Sequence, residues 1–128
     1  MTNGEMRELL NLHVELLEKS VTFGESLQEL RANTSIIGEY SATLLFGGER
    51  ATAINQRGWD VLGAHGLRYA VKTYTSKTRT MKFKSSTLEL ADRAIIYRLS
   101  VVDCKMQLIL VGTPSVGEIK LSPMRLDS

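Results

Sequence analysis

The stretch from Trp59 to Thr75, Trp-Asp-Val-Leu-Gly-Ala-His-Gly-Leu-Arg-Tyr-Ala-Val-Lys-Thr-Tyr-Thr, constrains the fold more than any other. Two short apolar runs flank His65-Gly66, and Gly66 can take the positive φ that a tight hairpin turn requires. Side chains alternate between faces along a strand. Leu67, Tyr69, Val71 and Thr73 therefore point one way, and Arg68, Ala70, Lys72 and Tyr74 the other. Lys72 falls mid-strand among residues that expect burial, where an ammonium is costly unless it is paired. The natural partner is a carboxylate on the neighbouring strand, and Asp60 is the acid carried there.

The rest of the sequence bounds the class. A chain of 128 residues reads as one domain with room for a real core, and 43% hydrophobic with 23% charged residues is ordinary for a globular protein. No apolar run approaches the roughly 20 residues that span a bilayer. Glu5 and Glu8 close to Arg7 break the pattern of a signal peptide. Cys104, the single cysteine, excludes an internal disulfide and suits a reducing compartment, so a cytoplasmic location away from membranes is expected. With two histidines and one cysteine, a His/Cys zinc site is not expected. Any metal would be a hard ion held by oxygen, such as Mg²⁺.

A net charge of +2 says little, but its distribution says more. Arg68, Lys72, Lys77, Arg79, Lys82 and Lys84 follow one another with no acid between Asp60 and Glu89. Such a strip is either a phosphate-binding face or a solvated sheet edge guarded by lysines.

Taken in order, Thr2-Asn3-Gly4-Glu5 has capping-box spacing, and Met6, Leu9, Leu10, His13, Leu16 and Leu17 follow as a helical stripe. His13 on that stripe reads as a packed or partly exposed helix residue. Thr22-Phe23-Gly24-Glu25 repeats the capping spacing, restarting the helix or marking a bend. Residues 1–33 thus form an N-terminal helical segment whose apolar stripe covers the sheet or pairs with a second subunit. Asn33, Thr34 and Ser35 are good caps for a second helix from Ile36 to Phe46, stopped by Gly47-Gly48. That places Gly38-Glu39 in its first turn. Residues 47–58 form a polar link, from which Gln56 and Arg57 can reach a nucleic acid. After the hairpin, 76–84 is basic, and Ser86 to Asp92 reads as a short helix. Ala94 to Val102 and Met106 to Val111 read as paired strands turned at Asp103-Cys104, followed by a Gly112–Ser115 loop. Glu118 to Leu121 is expected as a short edge strand, and residues 122–128 as a tail.

The acid on one hairpin strand and the lysine on the next resemble the core of the PD-(D/E)XK nuclease superfamily, the restriction-endonuclease-like fold. The resemblance covers residues 35–121. It implies an α/β fold, a mixed four- to five-stranded sheet flanked by helices, here with an N-terminal helical extension. In that family an acid on the first strand and an acid-x-lysine on the second hold a divalent metal beside a scissile phosphate. Asp60 matches the first acid and Lys72 the lysine, and Gly38-Glu39-Tyr40-Ser41-Ala42 matches the helix that brings a Glu towards the metal. Two residues before the lysine the family carries Glu, Asp or Gln, and this chain has Ala70, which offers no ligand atom.

The resemblance therefore implies a Mg²⁺- or Mn²⁺-dependent DNA endonuclease, inactivated or weakened at Ala70. Asp60 and Glu39 would be the metal ligands, and Lys72 would act on the water and the phosphate. Lys77, Arg79, Lys82, Lys84, Arg57 and Gln56 would contact DNA. Duplex cleavage by so small a domain needs two active sites, hence a homodimer, with the N-terminal helix as one candidate interface. The alternative is a catalytically inactive nucleic-acid-binding or regulatory module that keeps the fold. Trp59, beside Asp60, reads as core rather than as a base-stacking platform.

Overall fold

The computed structural model describes residues 1–50, 59–75 and 90–121. The chain folds as α1 (Asn3–Thr22), α2 (Arg31–Phe46), β1 (Glu49–Arg50), β2 (Val61–Leu62), β3 (Arg68–Thr75), β4 (Arg93–Val102), β5 (Lys105–Gly112) and α3 (Val116–Leu121).

The first helix starts where its capping box predicts. The Glu5 N–H donates to Thr2 Oγ1 at 3.0 Å, and the Thr2 N–H donates to Glu5 Oε1 at 2.7 Å. The second box, at Thr22, does not restart the helix. The Thr22 hydroxyl instead donates back to the Glu18 carbonyl at 2.8 Å, and Gly24 takes a φ of 103° that ends the run.

The expected start of the second helix also needs correction. α2 begins at Arg31, ahead of Asn33, Thr34 and Ser35, and its cap residue Leu30 makes no side-chain capping bond. Asn33 has a better use across the helix pair. Its Oδ1 lies 2.7 Å from His13 Nδ1, and its Nδ2 donates to the His13 carbonyl at 3.2 Å, tying α1 to α2. His13 is thus the packed, half-buried residue expected. α2 stops at Gly47 in the left-handed region, φ 67°, as its glycines indicate.

The fold is α/β, with a mixed five-stranded sheet in the order β1-β2-β3-β4-β5. β3 and β4 run parallel, from Tyr69 opposite Arg93 to Thr75 opposite Leu99, and the other pairs are antiparallel. Positive φ at both His65 (64°) and Gly66 (76°) turns the first hairpin, and at both Asp103 (51°) and Cys104 (61°) the second. Cys104 is exposed at that tip. Two expectations fail. Glu49 and Arg50, placed in a polar link, form β1. Glu118 to Leu121, expected as a strand, lie in helix α3. Its start is fixed by Ser115 and Glu118, where the Glu118 N–H donates to Ser115 Oγ at 3.3 Å and that hydroxyl donates to Glu118 Oε1 at 3.0 Å. The helix expected over Ser86–Asp92 falls outside the described residues up to position 89, and Leu90–Asp92 form a turn and a bend. The tail, 122–128, also lies outside them.

The alternation along β3 holds. Tyr69 and Val71 pack with Ala42, Val61, Ile95 and Tyr97 on the face that α2 covers. Tyr74 packs on the opposite face with Ala94, Ile96 and Ile119 of α3. A third cluster, Leu17, Ile37 and Leu99, joins α1 to α2 and the sheet. The stripe of α1 therefore covers the fold, as one of its two expected uses required, and leaves Leu12 and Leu16 exposed.

Candidate functional site

The site begins with a missing side chain. A Cβ on Gly38 would run into the Thr73 hydroxyl, so glycine there lets α2 lie close against β3. The next residue, Glu39, is thereby held near the short strands β1 and β2. It sits mid-helix rather than in the first turn, so a favourable contact with the helix N-terminus does not account for it.

Arg50, closing β1, reaches Glu39 from the side. Its Nε donates to Glu39 Oε1 at 3.2 Å, and its guanidinium carbon lies 4.8 Å from the centre of the Tyr40 ring. Tyr40 is itself held against His13, ring centres 5.9 Å apart.

Asp60 stands just before β2. Its N–H donates to the Tyr69 carbonyl at 2.8 Å, and its Oδ2 accepts the Val71 N–H at 2.8 Å. The carboxylate thus takes over where β2, only 2 residues long, stops supplying ladder carbonyls to β3. This puts it at the Ala70–Val71 peptide, beside the position where the resemblance leads one to expect a further oxygen-bearing side chain. Ala70 is buried, 7% exposed, and contributes only a methyl group.

Electrostatics couple these groups. Burial pushes the Glu39 carboxyl above its ordinary range, and the Asp60 charge pushes it further, while Arg50 opposes both. Burial also raises Asp60, against the Val71 N–H and the charges of Lys72 and Arg50. Two half-buried acids far apart in sequence therefore share one field, with Arg50 and Lys72 supplying the positive side.

Lys72 departs from expectation. It is exposed, and among the described residues it makes no ion pair with Asp60 within 4 Å. A lysine can lie on a packed strand while its four-carbon stem carries the ammonium out to water. Its charge still draws Asp60 downward, so the two remain within electrostatic reach. Arg68 is not an open cation either. Its Nε lies 3.4 Å from Asp92 Oδ2, which also accepts the Arg68 N–H at 2.8 Å. Trp59 is half-buried ahead of Asp60. Gln56, Arg57, Lys77, Arg79, Lys82 and Lys84, the expected nucleic-acid contacts, lie outside the described residues.

No protein-family model matches the chain, and no curated protein matches it.

Arg50 is the site residue that sequence reasoning missed. Its one signal was a charge opposite to that of Glu39 soon after α2, a signal Arg57 shares. As a metal site, Glu39 and Asp60 offer the hard oxygen donors that Mg²⁺ or Mn²⁺ prefers. They fit in kind but fall short in number, since no group of three potential ligand residues occurs among the described residues. Water would have to complete the coordination of a cation held there. No helix among the described residues is long and apolar enough to cross a membrane.

Proposed function

We propose that the chain is a PD-(D/E)XK-type nuclease domain acting on DNA phosphodiesters, with a metal site weakened at Ala70. One observation carries the proposal: Asp60, its carboxylate on the Val71 N–H beside Ala70, lies near enough to half-buried Glu39 for its charge to raise that carboxyl, and Lys72 acts on Asp60 from solvent.

In this reading Glu39 and Asp60 would hold Mg²⁺ or Mn²⁺, which would supply Lewis acidity toward the phosphate and lower the pKa of water. Asp60 is oriented by the Val71 N–H, which fixes one of its oxygens, while the other has no hydrogen-bond partner among the described residues. Lys72, with its ammonium in solvent, pairs with a non-bridging phosphate oxygen and offsets the charge that builds during attack. Ala70 lacks the oxygen that would complete the donor set. Each lost factor of ten in rate corresponds to about 1.4 kcal/mol of barrier, so one absent carboxylate leaves cleavage slow or undetectable while DNA binding survives. A symmetric dimer would supply two sites for a duplex. Leu12 and Leu16, 55% and 57% exposed on α1, are apolar surface open to such pairing, which sedimentation of the intact chain reads directly.

The test is cleavage of plasmid, linear duplex and single-stranded DNA with Mg²⁺ or Mn²⁺, comparing the chain with Ala70→Gln and Ala70→Glu. Asp60→Asn is then added to each. Metal-dependent cutting by a repaired variant, abolished by Asp60→Asn, is the expected result. Ala70→Gln guards against the cost of burying a carboxylate. Failure of both folded variants to cut any substrate would sink the proposal as an enzyme.

A second reading, a DNA-binding module without chemistry, is favoured by the partners both acids already have. Arg50 engages Glu39, and the Val71 N–H engages Asp60. DNA binding without cleavage in every variant would select it.

A further inference from the structure

We infer that Arg50 is the resident counter-ion of the Glu39–Asp60 pair and sets how tightly that pair binds a divalent cation, because guanidinium and metal compete for Glu39. The inference rests on the acid pair being a cation site, as proposed above.

Position comes first. Arg50 pairs with Val61 in the β1–β2 ladder, and Val61 directly follows Asp60, so the strand that carries one acid also fixes the arginine backbone. From there the side chain turns to Glu39 on α2. It therefore spans from the element of one acid to the side chain of the other.

Geometry comes second. Nε meets only Oε1 of Glu39, at 3.2 Å, in place of the two-point grip an arginine can make on a carboxylate. The side chains are 32% and 22% exposed, so this contact is neither sealed from water nor fully solvated. Such a pair is breakable. The Tyr40 face, 4.8 Å away, gives the guanidinium a second foothold that persists once the carboxylate is released.

Charge comes third. Two half-buried carboxylates, one feeling the other's charge, need cations nearby; among the described residues Arg50 is the one in contact with Glu39, while Lys72 and Arg50 both draw Asp60 downward. A divalent ion held by Glu39 and Asp60 would repel the guanidinium and compete with it for the Glu39 carboxylate. Arg50 must then leave Glu39, and metal affinity is lowered by whatever that contact contributes. With Ala70 supplying no third ligand, the balance tilts toward the arginine.

The experiment measures Mn²⁺ binding to the whole chain by water-proton relaxation, with no DNA and no turnover. It compares the chain with Arg50→Gln, Arg50→Lys and Asp60→Asn, with folding checked by circular dichroism. Arg50→Gln should tighten Mn²⁺ binding about threefold or more, as expected when a half-exposed ion pair no longer has to be broken. Arg50→Lys should tighten it less, because it keeps the charge and loses the planar contact. Asp60→Asn should weaken it.

Unchanged or weaker binding in both Arg50 variants, with Asp60→Asn still reducing it, would overturn the role of Arg50 and leave the cation site standing. No saturable Mn²⁺ binding in any protein would overturn both. The lysine variant carries the test alone if Arg50→Gln does not fold.

Discussion

Asp60 does two jobs that pull on its charge in opposite directions. The Val71 N–H favours the carboxylate, while burial disfavours it, and burial wins. Glu39 is raised in the same way, with the Asp60 charge adding to burial. The folded chain therefore holds protons on these acids at pH values where the unfolded chain, with ordinary values of 3.8 and 4.5, has released them. The sign follows from that difference. Their cost to stability is absent below the ordinary values and grows as pH rises through the raised folded ones. Asp60→Asn removes one such group, and its amide oxygen can still accept from Val71. Relative to the unchanged chain, the variant should become more stable as pH rises just above the ordinary carboxylate range. Urea denaturation across that range reads the difference directly, and a difference independent of pH would contradict the assignment. The place of Asp60 just before the hairpin was legible in the sequence. Its service to the backbone was not, because it depends on where β2 stops.

The helix α2 shows how one element is positioned by what it lacks. Gly38 faces Thr73 on β3, and an added Cβ would also come within 3.3 Å of Thr73 Cβ and 3.6 Å of Val71 Cγ1. Gly38→Ala should therefore destabilise the fold by about 1–3 kcal/mol through overpacking, although alanine is the better helix former. Chemical denaturation checks this, and a stabilised variant would show that α2 does not lie as close as described. The Gly-Glu pair was readable in the sequence, and its reason is now physical: glycine brings the helix in, and glutamate uses the approach. The start of α2 was misread because Asn33, a good cap in isolation, bonds to His13 of the neighbouring helix instead. α3 was misread in the reverse sense. Ser115 and Glu118 already had capping-box spacing, but the following stretch was too short for a helical period to compete with a strand assignment.

Three clusters hold these elements together, and Leu17 in α1 belongs to the one that reaches furthest along the chain. With Ile37 and Leu99 it is fully buried, and α1 makes a further tie where Glu18 Oε2 accepts the Met106 N–H at 2.7 Å. Leu17→Ala should cost about 2–5 kcal/mol. Unfolding followed by helical circular dichroism and by Trp59 fluorescence should still coincide, because α1 is part of the core rather than an appendage. Separate transitions would instead make the first helix an independent segment. The local patterns in the chain were sufficient for the first capping box, the alternation of β3, the places of the two turns, with positive φ at Gly66, and the α/β class. These are short-range: each rests on residues a few positions apart, whose steric and hydrogen-bonding preferences act before any tertiary contact forms. The parallel partnership of β3 and β4, the exposure of Lys72 and the meeting of Arg50 with Glu39 have no such local signal. They depend on which faces are covered once helices and strands pack, and on how far a long charged side chain can reach across the gap that packing leaves.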